Sequence, residues 1–142
     1  MNYYINRLNE LAKEASINDE VPIACLIIKD NQIIGEGVNN REKNNLIHGH
    51  AEINAINQAS NKLGSWKLDD CIMYVSTEPC LMCYGAIKQS RIRKVYVASK
   101  QESSKKQSFN CYIEDDDQLI DYSYVNEESQ NIIKEFFLRK RG

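Results

Sequence analysis

His50-Ala51-Glu52 and Pro79-Cys80-Leu81-Met82-Cys83 are the two stretches of this 142-residue sequence whose residue types can do chemistry together. Cys80 and Cys83 stand at i and i+3, which puts both thiols on one face of a first helical turn. A helix N-terminus lowers the pKa of a thiol, and thiolate is the form that a soft divalent metal binds. One histidine and two cysteines make three protein ligands. A structural zinc site is closed by four, whereas three leave a position for water. The set therefore predicts a catalytic zinc site, one ion per chain, held by His50, Cys80 and Cys83. Zinc in such a site lowers the pKa of that water toward neutrality. Glu52, two residues past His50, cannot point fully with the ligand and suits a place beside the metal. There a carboxylate can accept a proton from water and return it to a leaving group.

Each piece alone admits a plainer reading. Cys-x-x-Cys also fits a redox pair or half of a structural zinc site, and His-x-Glu alone says little. Their order, each at a predicted helix start, favours the catalytic metal. With five cysteines and two histidines in the chain, few other candidates exist. Cys25 and Cys71 fall inside predicted strands as small core residues. Cys111 lies in a polar excursion. The odd cysteine count argues against a complete disulfide framework. His48 precedes the helix and reads as a loop contact near the pocket rather than a ligand.

The elements that must position these residues can be read from periodicity. Tyr4, Leu8, Leu11, Ala12 and Ala15 predict an amphipathic helix over Tyr3 to Ser16. Ile23 to Ile28 reads as a buried central strand, Lys29-Asp30-Asn31 as a turn, and Gln32 to Gly37 as the second strand of a hairpin. A polar loop over 39–49 precedes a helix from His50 with Ala51, Ala55, Ile56, Ala59 and Leu63 on its apolar side, ended by Gly64. A strand over Cys71 to Val75 leads through Thr77-Glu78-Pro79 into a helix from Cys80 to Ser90. Lys94 to Ala98 is a fourth strand, and 99–118 is a polar excursion. Leu119 to Val125 reads as a fifth strand. Ser129 to Lys140 is a closing helix with Ile132, Ile133, Phe136 and Phe137 inward. Alternating strands and helices predict a single α/β domain over 1–142, its sheet covered on both faces.

Composition and charge bound the reading further. Hydrophobic residues make up 42% and charged residues 27%, which excludes a disordered or fibrous chain. The longest apolar run, Val21 to Ile28, is too short to cross a bilayer, so no membrane association is expected. Met1-Asn2-Tyr3-Tyr4 lacks the pattern of a secretory signal, which predicts a cytoplasmic protein. The net charge of −2 conceals segregation. Seven bases stand against one acid between Lys88 and Lys106, and seven acids with no base between Glu114 and Glu128. The basic stretch, with Arg139, Lys140 and Arg141, suits a phosphate-contacting face.

These motifs resemble the cytidine deaminase superfamily and, within it, the bacterial tRNA-specific adenosine deaminases. The resemblance covers nearly the whole chain apart from 99–125. It rests on Glu20-Val21-Pro22-Ile23-Ala24, Gly35-Glu36-Gly37-Val38-Asn39, Asn39-Asn40-Arg41-Glu42 and His50-Ala51-Glu52-Ile53. The most specific stretch runs from Met73 through Thr77-Glu78-Pro79-Cys80-Leu81-Met82-Cys83-Tyr84-Gly85-Ala86-Ile87 to Ser90-Arg91-Ile92, and Phe136 to Arg141 resembles the family's closing helix. The resemblance implies a three-layer αβα fold with a mixed five-stranded sheet. It also implies zinc on His50, Cys80 and Cys83, and Glu52 as proton shuttle. The implied reaction is hydrolytic deamination of the wobble adenosine of a tRNA anticodon to inosine, by a homodimer. Asn39, by itself a turn residue after Gly37, matches the family's pocket asparagine and is implied to bind the substrate nucleoside. The sequence departs from the family at Leu46-Ile47-His48-Gly49, at Ser99 to Phe109 and at Leu138, where the family shapes its RNA surface or pocket rim, and none of the departures touches the ligands. A small-molecule deaminase acting on guanine, cytosine or a nucleoside is therefore the alternative. A non-catalytic zinc-stabilised RNA-binding module is disfavoured, because it has no use for Glu52.

Overall fold

Strand β1 (Ala24–Lys29) is buried along five of its six residues, as its unbroken apolar run predicts. The computed structural model describes residues 2–40, 48–100 and 119–141. The expectations for Arg41 to Ile47, for the excursion beyond Lys100, for Cys111 and for the acidic run Glu114 to Asp117 lie outside the described residues. In chain order the other elements are α1 (Tyr3–Ile17), β2 (Gln32–Val38), α2 (Ala51–Leu63), β3 (Ile72–Val75), α3 (Leu81–Ser90), β4 (Lys94–Val97), β5 (Ile120–Asp121) and α4 (Glu127–Arg141), with α1 preceding β1. The sheet order is β2-β1-β3-β4-β5. β1 runs antiparallel to both β2 and β3, whereas β3, β4 and β5 are mutually parallel. The sheet is thus mixed and five-stranded, as expected.

Alternation along β1 divides the core into two layers. Cys25 and Ile27 face α2 and α3, packed with Ala55, Met73, Val75, Ile87 and Val95. Ala24, Leu26 and Ile28 face α1, packed with Ile5, Leu8, Ala12 and Tyr74, and Ile132 of α4 lies against this cluster. Three layers result, helices covering both faces. Cys25 and Cys71 are buried core residues.

Asp30 and Asn31 both take positive φ, 51° and 62°. That is the two-residue turn whose twist matches a right-handed hairpin. A register shift at Ile27/Ile28 places a bulge in this hairpin. Arg7 of α1 clamps Glu36 of β2 with two guanidinium hydrogen bonds of 2.8 and 2.9 Å. The Glu36 amide donates to Gln58 Oε1 at 2.8 Å.

Two glycines let α2 lie directly on β2. A Cβ at Gly35 would stand 2.5 Å from the Ala55 carbonyl oxygen, and one at Gly37 would stand 2.5 Å from the Ala55 amide and closer still to the Ala51 carbonyl. Ala51, Ala55 and Ala59, four apart, present the small helix face that meets them. Backbone cannot retreat as a side-chain tip can. Gly37→Ala is therefore expected to destabilise the fold by about 3 kcal/mol, the upper part of the overpacking range. Urea unfolding measures it, and Gly64→Ala, with nothing near its Cβ, is the comparison for a purely conformational cost.

Two expectations differ. The fifth strand is only Ile120–Asp121, not Leu119 to Val125. The Asp121 carboxylate accepts from the Ser123 amide at 2.8 Å and the Val125 amide bonds the Tyr122 carbonyl at 3.1 Å, so the chain turns out of the sheet there. On α4, Phe136 is buried but Phe137 is 38% exposed. One residue advances a helix by about 100°, which carries Phe137 off the face that Ile132 and Phe136 share. It stacks edge-on against Phe136 instead.

Candidate active site

Both predicted ligand helices begin on a ligand. His50 is the N-cap of α2 and Cys80 the N-cap of α3, both in extended conformation, and neither side chain makes a capping hydrogen bond. An N-cap side chain ordinarily turns back onto the first-turn amides. Here the two side chains approach each other, with the first-turn amides of Met82 and Cys83 still near enough to Cys80 Sγ to favour its charged form. Cys83 projects from the first turn of α3 and is buried. His50 Nδ1 lies 3.3 Å from Cys83 Sγ and 3.5 Å from Cys80 Sγ. Among the described residues, His50, Cys80 and Cys83 form the group whose donor atoms could hold a metal, all within 4.8 Å of one another.

The donor set fits a tetrahedral zinc ion. Zn–N and Zn–S bonds of ordinary length place nitrogen and sulfur donors about 3.6 Å apart around one ion. The observed His–Cys separations match this spacing without rearrangement. The thiols are also prepared for it. The Cys80 thiol is pulled down to about 5, first by the hydrogen bond from Cys83, then by the backbone amides of Cys83 and Met82 and by His50, against the opposing effect of burial. Cys83 is pushed up, by that same hydrogen bond and by burial. One thiolate and one thiol thus share a proton, which a metal bound to both would displace.

Glu52 sits in the first turn of α2 and is 4% exposed. Burial is the main cause that raises its carboxyl from 4.5 to about 7. Its own amide lowers it, the Cys80 charge raises it, and a hydrogen bond with Cys83 lowers it again. The carboxylate thus touches the ligand set and sits near neutrality, poised between proton donor and acceptor. Cys25 lies beneath it, its thiol raised by burial and by the Glu52 charge.

Asn39 is buried just beyond β2, its amide bonded to the Ile23 carbonyl at 3.2 Å. His48 is exposed and stands apart from the donor group. The basic stretch is partly described: Lys88, Arg91, Arg93 and Lys94 line a surface groove of about 650 Å³ at the C-terminal end of α3, the end away from Cys80. Lys94 also reaches Asp121 at 4.0 Å. Arg139 and Lys140 instead contact the end of α1, at Ser16 and the following Asp19.

Sequence reasoning passed over the residues that hold the site together. Asn54, one turn into α2, donates to the Val38 carbonyl at 2.8 Å and to Asn40 Oδ1 at 2.9 Å. The Asn40 amide in turn bonds the Gly49 carbonyl at 2.8 Å. This clamp joins the segment that carries Asn39 to the one that carries His50. Ser76, after β3, exchanges hydrogen bonds with the Ala24 backbone through its Oγ, and its carbonyl accepts from Ser99 Oγ at 2.6 Å. Glu78 is 1% exposed and accepts from the Tyr122 hydroxyl at 2.6 Å. An asparagine four residues after a ligand, and an acid wedged before Pro79, are the signals that could have marked two of these.

A family model described as MafB19-like deaminase matches residues 2–141. The tRNA-specific adenosine deaminase of Streptococcus pyogenes serotype M18 (strain MGAS8232) is 44% identical over 101 residues, 70% of this chain. The chain spans 64% of that relative's length in this match. The tRNA-specific adenosine deaminase of Buchnera aphidicola subsp. Baizongia pistaciae (strain Bp) is 32% identical over 98% of this chain and 89% of its own length. Among solved structures, a guanine deaminase from Bacillus subtilis aligns with a TM-score of 0.67 and 31% identity, covering 100% of this chain and 96% of that one.

Proposed function

The chain belongs to the MafB19-like deaminase family, and from that premise we propose that it deaminates the wobble adenosine of a tRNA anticodon to inosine by zinc-dependent hydrolysis. The observation that carries this reading is the His50, Cys80 and Cys83 donor set with buried Glu52 against it. His50 Nδ1, Cys80 Sγ and Cys83 Sγ would hold one zinc ion, which when bound supplies a Lewis acid that activates water. The Glu52 carboxylate takes the proton of the attacking water. It passes that proton to N1 of the adenine ring, then takes the proton of the hydroxyl added at C6 and gives it to the amino nitrogen, so that the C6–N bond breaks, ammonia leaves and the C6 carbonyl of inosine forms. Asn39 orients the nucleoside. Seclusion of Glu52 from solvent keeps its protons for the substrate. The basic groove on α3 supports an anionic, polymeric substrate. Action on tRNA supports a cytoplasmic location.

The test is direct. Zinc-loaded protein incubated with tRNA bearing a wobble adenosine should convert that position to inosine, read by sequencing. Turnover of free guanine with no conversion of tRNA overturns the reading in favour of a small nucleobase deaminase. That second reading has support in the end-to-end similarity to the guanine deaminase. Salt separates the two, because phosphate contacts make affinity fall as salt rises.

The working unit is a homodimer that meets on α3. Leu81 and Met82 are 50% and 38% exposed beside the ligands. Gly85 stands in mid-helix with nothing within 4 Å of its Cβ position. A mid-helix glycine costs about 1 kcal/mol relative to alanine, and no contact within the described chain explains it. Close approach by a second copy does. Gly85→Leu is expected to leave the fold intact and to shift the sedimentation coefficient from dimer to monomer. A variant that sediments as the wild type removes this interface.

A further inference from the structure

Tyr122 plays no part in the reaction described above, yet its hydroxyl makes one of the shortest side-chain hydrogen bonds in the structure, 2.6 Å to Glu78 Oε2. The partners lie 44 residues apart in sequence, so the bond is a tertiary one. Parallel register explains the meeting. Val75 of β3 pairs with Val97, and Tyr96 with Asp121, so Tyr122 is carried level with the end of β3. Glu78 lies three residues beyond that end and two before Cys80.

Among the described residues, the turn from β3 to α3 is tied at both ends, at Cys80 by the Tyr84 amide that bonds its carbonyl at 2.8 Å. Ser76 is held at its start by Ala24 and Ser99. Pro79 has no amide to donate. Glu78, through the Tyr122 hydroxyl, ties the middle of the turn to the end of the sheet. Burial and the facing carboxylate push the Tyr122 hydroxyl well above its ordinary pKa, so it stays protonated and remains a donor. The Lys100 ammonium stands 5.0 Å from the centre of the Tyr122 ring, a further restraint on its orientation.

We propose that Tyr122 is a positioning residue for the metal centre: through Glu78 it fixes the Thr77–Cys80 turn so that Cys80 Sγ stands within reach of His50 and Cys83 before any metal arrives. The inference rests on the reading of His50, Cys80 and Cys83 as metal ligands. Tyr122 lies outside the stretches on which the family resemblance rests, while Glu78 and Cys80 lie in the most specific of them. Partners one step removed from a metal set its affinity by holding its ligands in place, and their loss weakens binding about 10- to 100-fold.

The test compares the full-length wild type, Tyr122→Phe and Glu78→Gln. Zinc affinity is read by competition with a chromophoric chelator, and site geometry by the visible bands of the cobalt-substituted protein. Tyr122→Phe should bind zinc about 10-fold more weakly and shift the cobalt bands, while the urea unfolding midpoint of the metal-free protein stays near that of the wild type. Glu78→Gln keeps an acceptor oxygen for the hydroxyl and should lose no more than about 3-fold. A Phe variant with wild-type affinity and bands overturns this inference alone. So does a Gln variant weaker than the Phe variant, since Glu78 would then act without Tyr122. If Tyr122→Phe unfolds without metal, its role is general to the fold and the proposal fails. A wild type that takes up neither zinc nor cobalt overturns the metal reading along with it.

Discussion

Glu52→Gln is expected to reduce turnover by about 10²- to 10⁴-fold, the usual contribution of a positioned acid–base group, while the protein keeps its zinc. The amide fills the same space but cannot carry a proton between water and the departing nitrogen. Inosine formation under single-turnover conditions, together with metal content per chain, measures both halves of the expectation. Loss of zinc in this variant would show that Glu52 holds the metal instead of serving the substrate. The same substitution has a second signature in metal-free protein. The Glu52 carboxyl sits near 7 when folded against an ordinary 4.5, mainly through burial, so the folded state holds its proton more tightly than the unfolded state. Its contribution to stability is fully present below about 4.5 and is lost as pH rises through about 7. At alkaline pH the difference amounts to about 3 kcal/mol. Metal-free Glu52→Gln should therefore be more stable than wild type at pH 8, with the gap closing toward pH 4.5. A bound divalent cation opposes the effect by favouring the charged carboxylate.

Cys83→Ser is expected to abolish zinc retention, with affinity falling by more than about 100-fold, the upper end for loss of a mere outer partner. A serine hydroxyl does not ionise near neutrality and is a poor ligand for a thiophilic metal. The position is also the one about which the other donors are gathered, with His50 Nδ1 at 3.3 Å and the Cys80 thiolate stabilised first by its hydrogen bond. Cys71→Ala is the comparison, since that thiol is buried in the core away from the donor group. It should retain one zinc per chain by elemental analysis, and zinc should raise its unfolding midpoint as in the wild type. Zinc should leave the midpoint of Cys83→Ser unchanged.

What could be read beforehand divides along a physical line. Cys80 and Cys83 could be told from Cys25 and Cys71 because local pattern places one pair at a helix start and the other in strands. Gly64 and the Asp30-Asn31 turn were legible for the same reason: the backbone conformations they adopt are local and have residue preferences. Sheet order was not legible, because β1 pairs with β3 across an intervening helix, and nothing in either strand names its neighbour. Tyr122 sat within an expected strand. Its side chain is claimed by Glu78 and its backbone by a turn, and neither is visible in a two-residue period. Asn54 was hidden for the opposite reason. On an amphipathic helix it reads as one more polar residue, and its worth lies in the Val38 and Asn40 oxygens brought to it only in the fold.

The borders of the sheet have a consequence for how copies of this chain can associate. β5 is two residues long, too short to template another strand. The outer side of β2 is blunted by the hairpin bulge, by the Arg7–Glu36 clamp and by the Gln58 oxygen that already occupies the Glu36 amide. Among the described residues, intermolecular strand addition, the route to continuous sheets and amyloid-like aggregates, is thus disfavoured at both margins. Among the described residues, self-association is therefore expected through helical surfaces rather than through sheet margins.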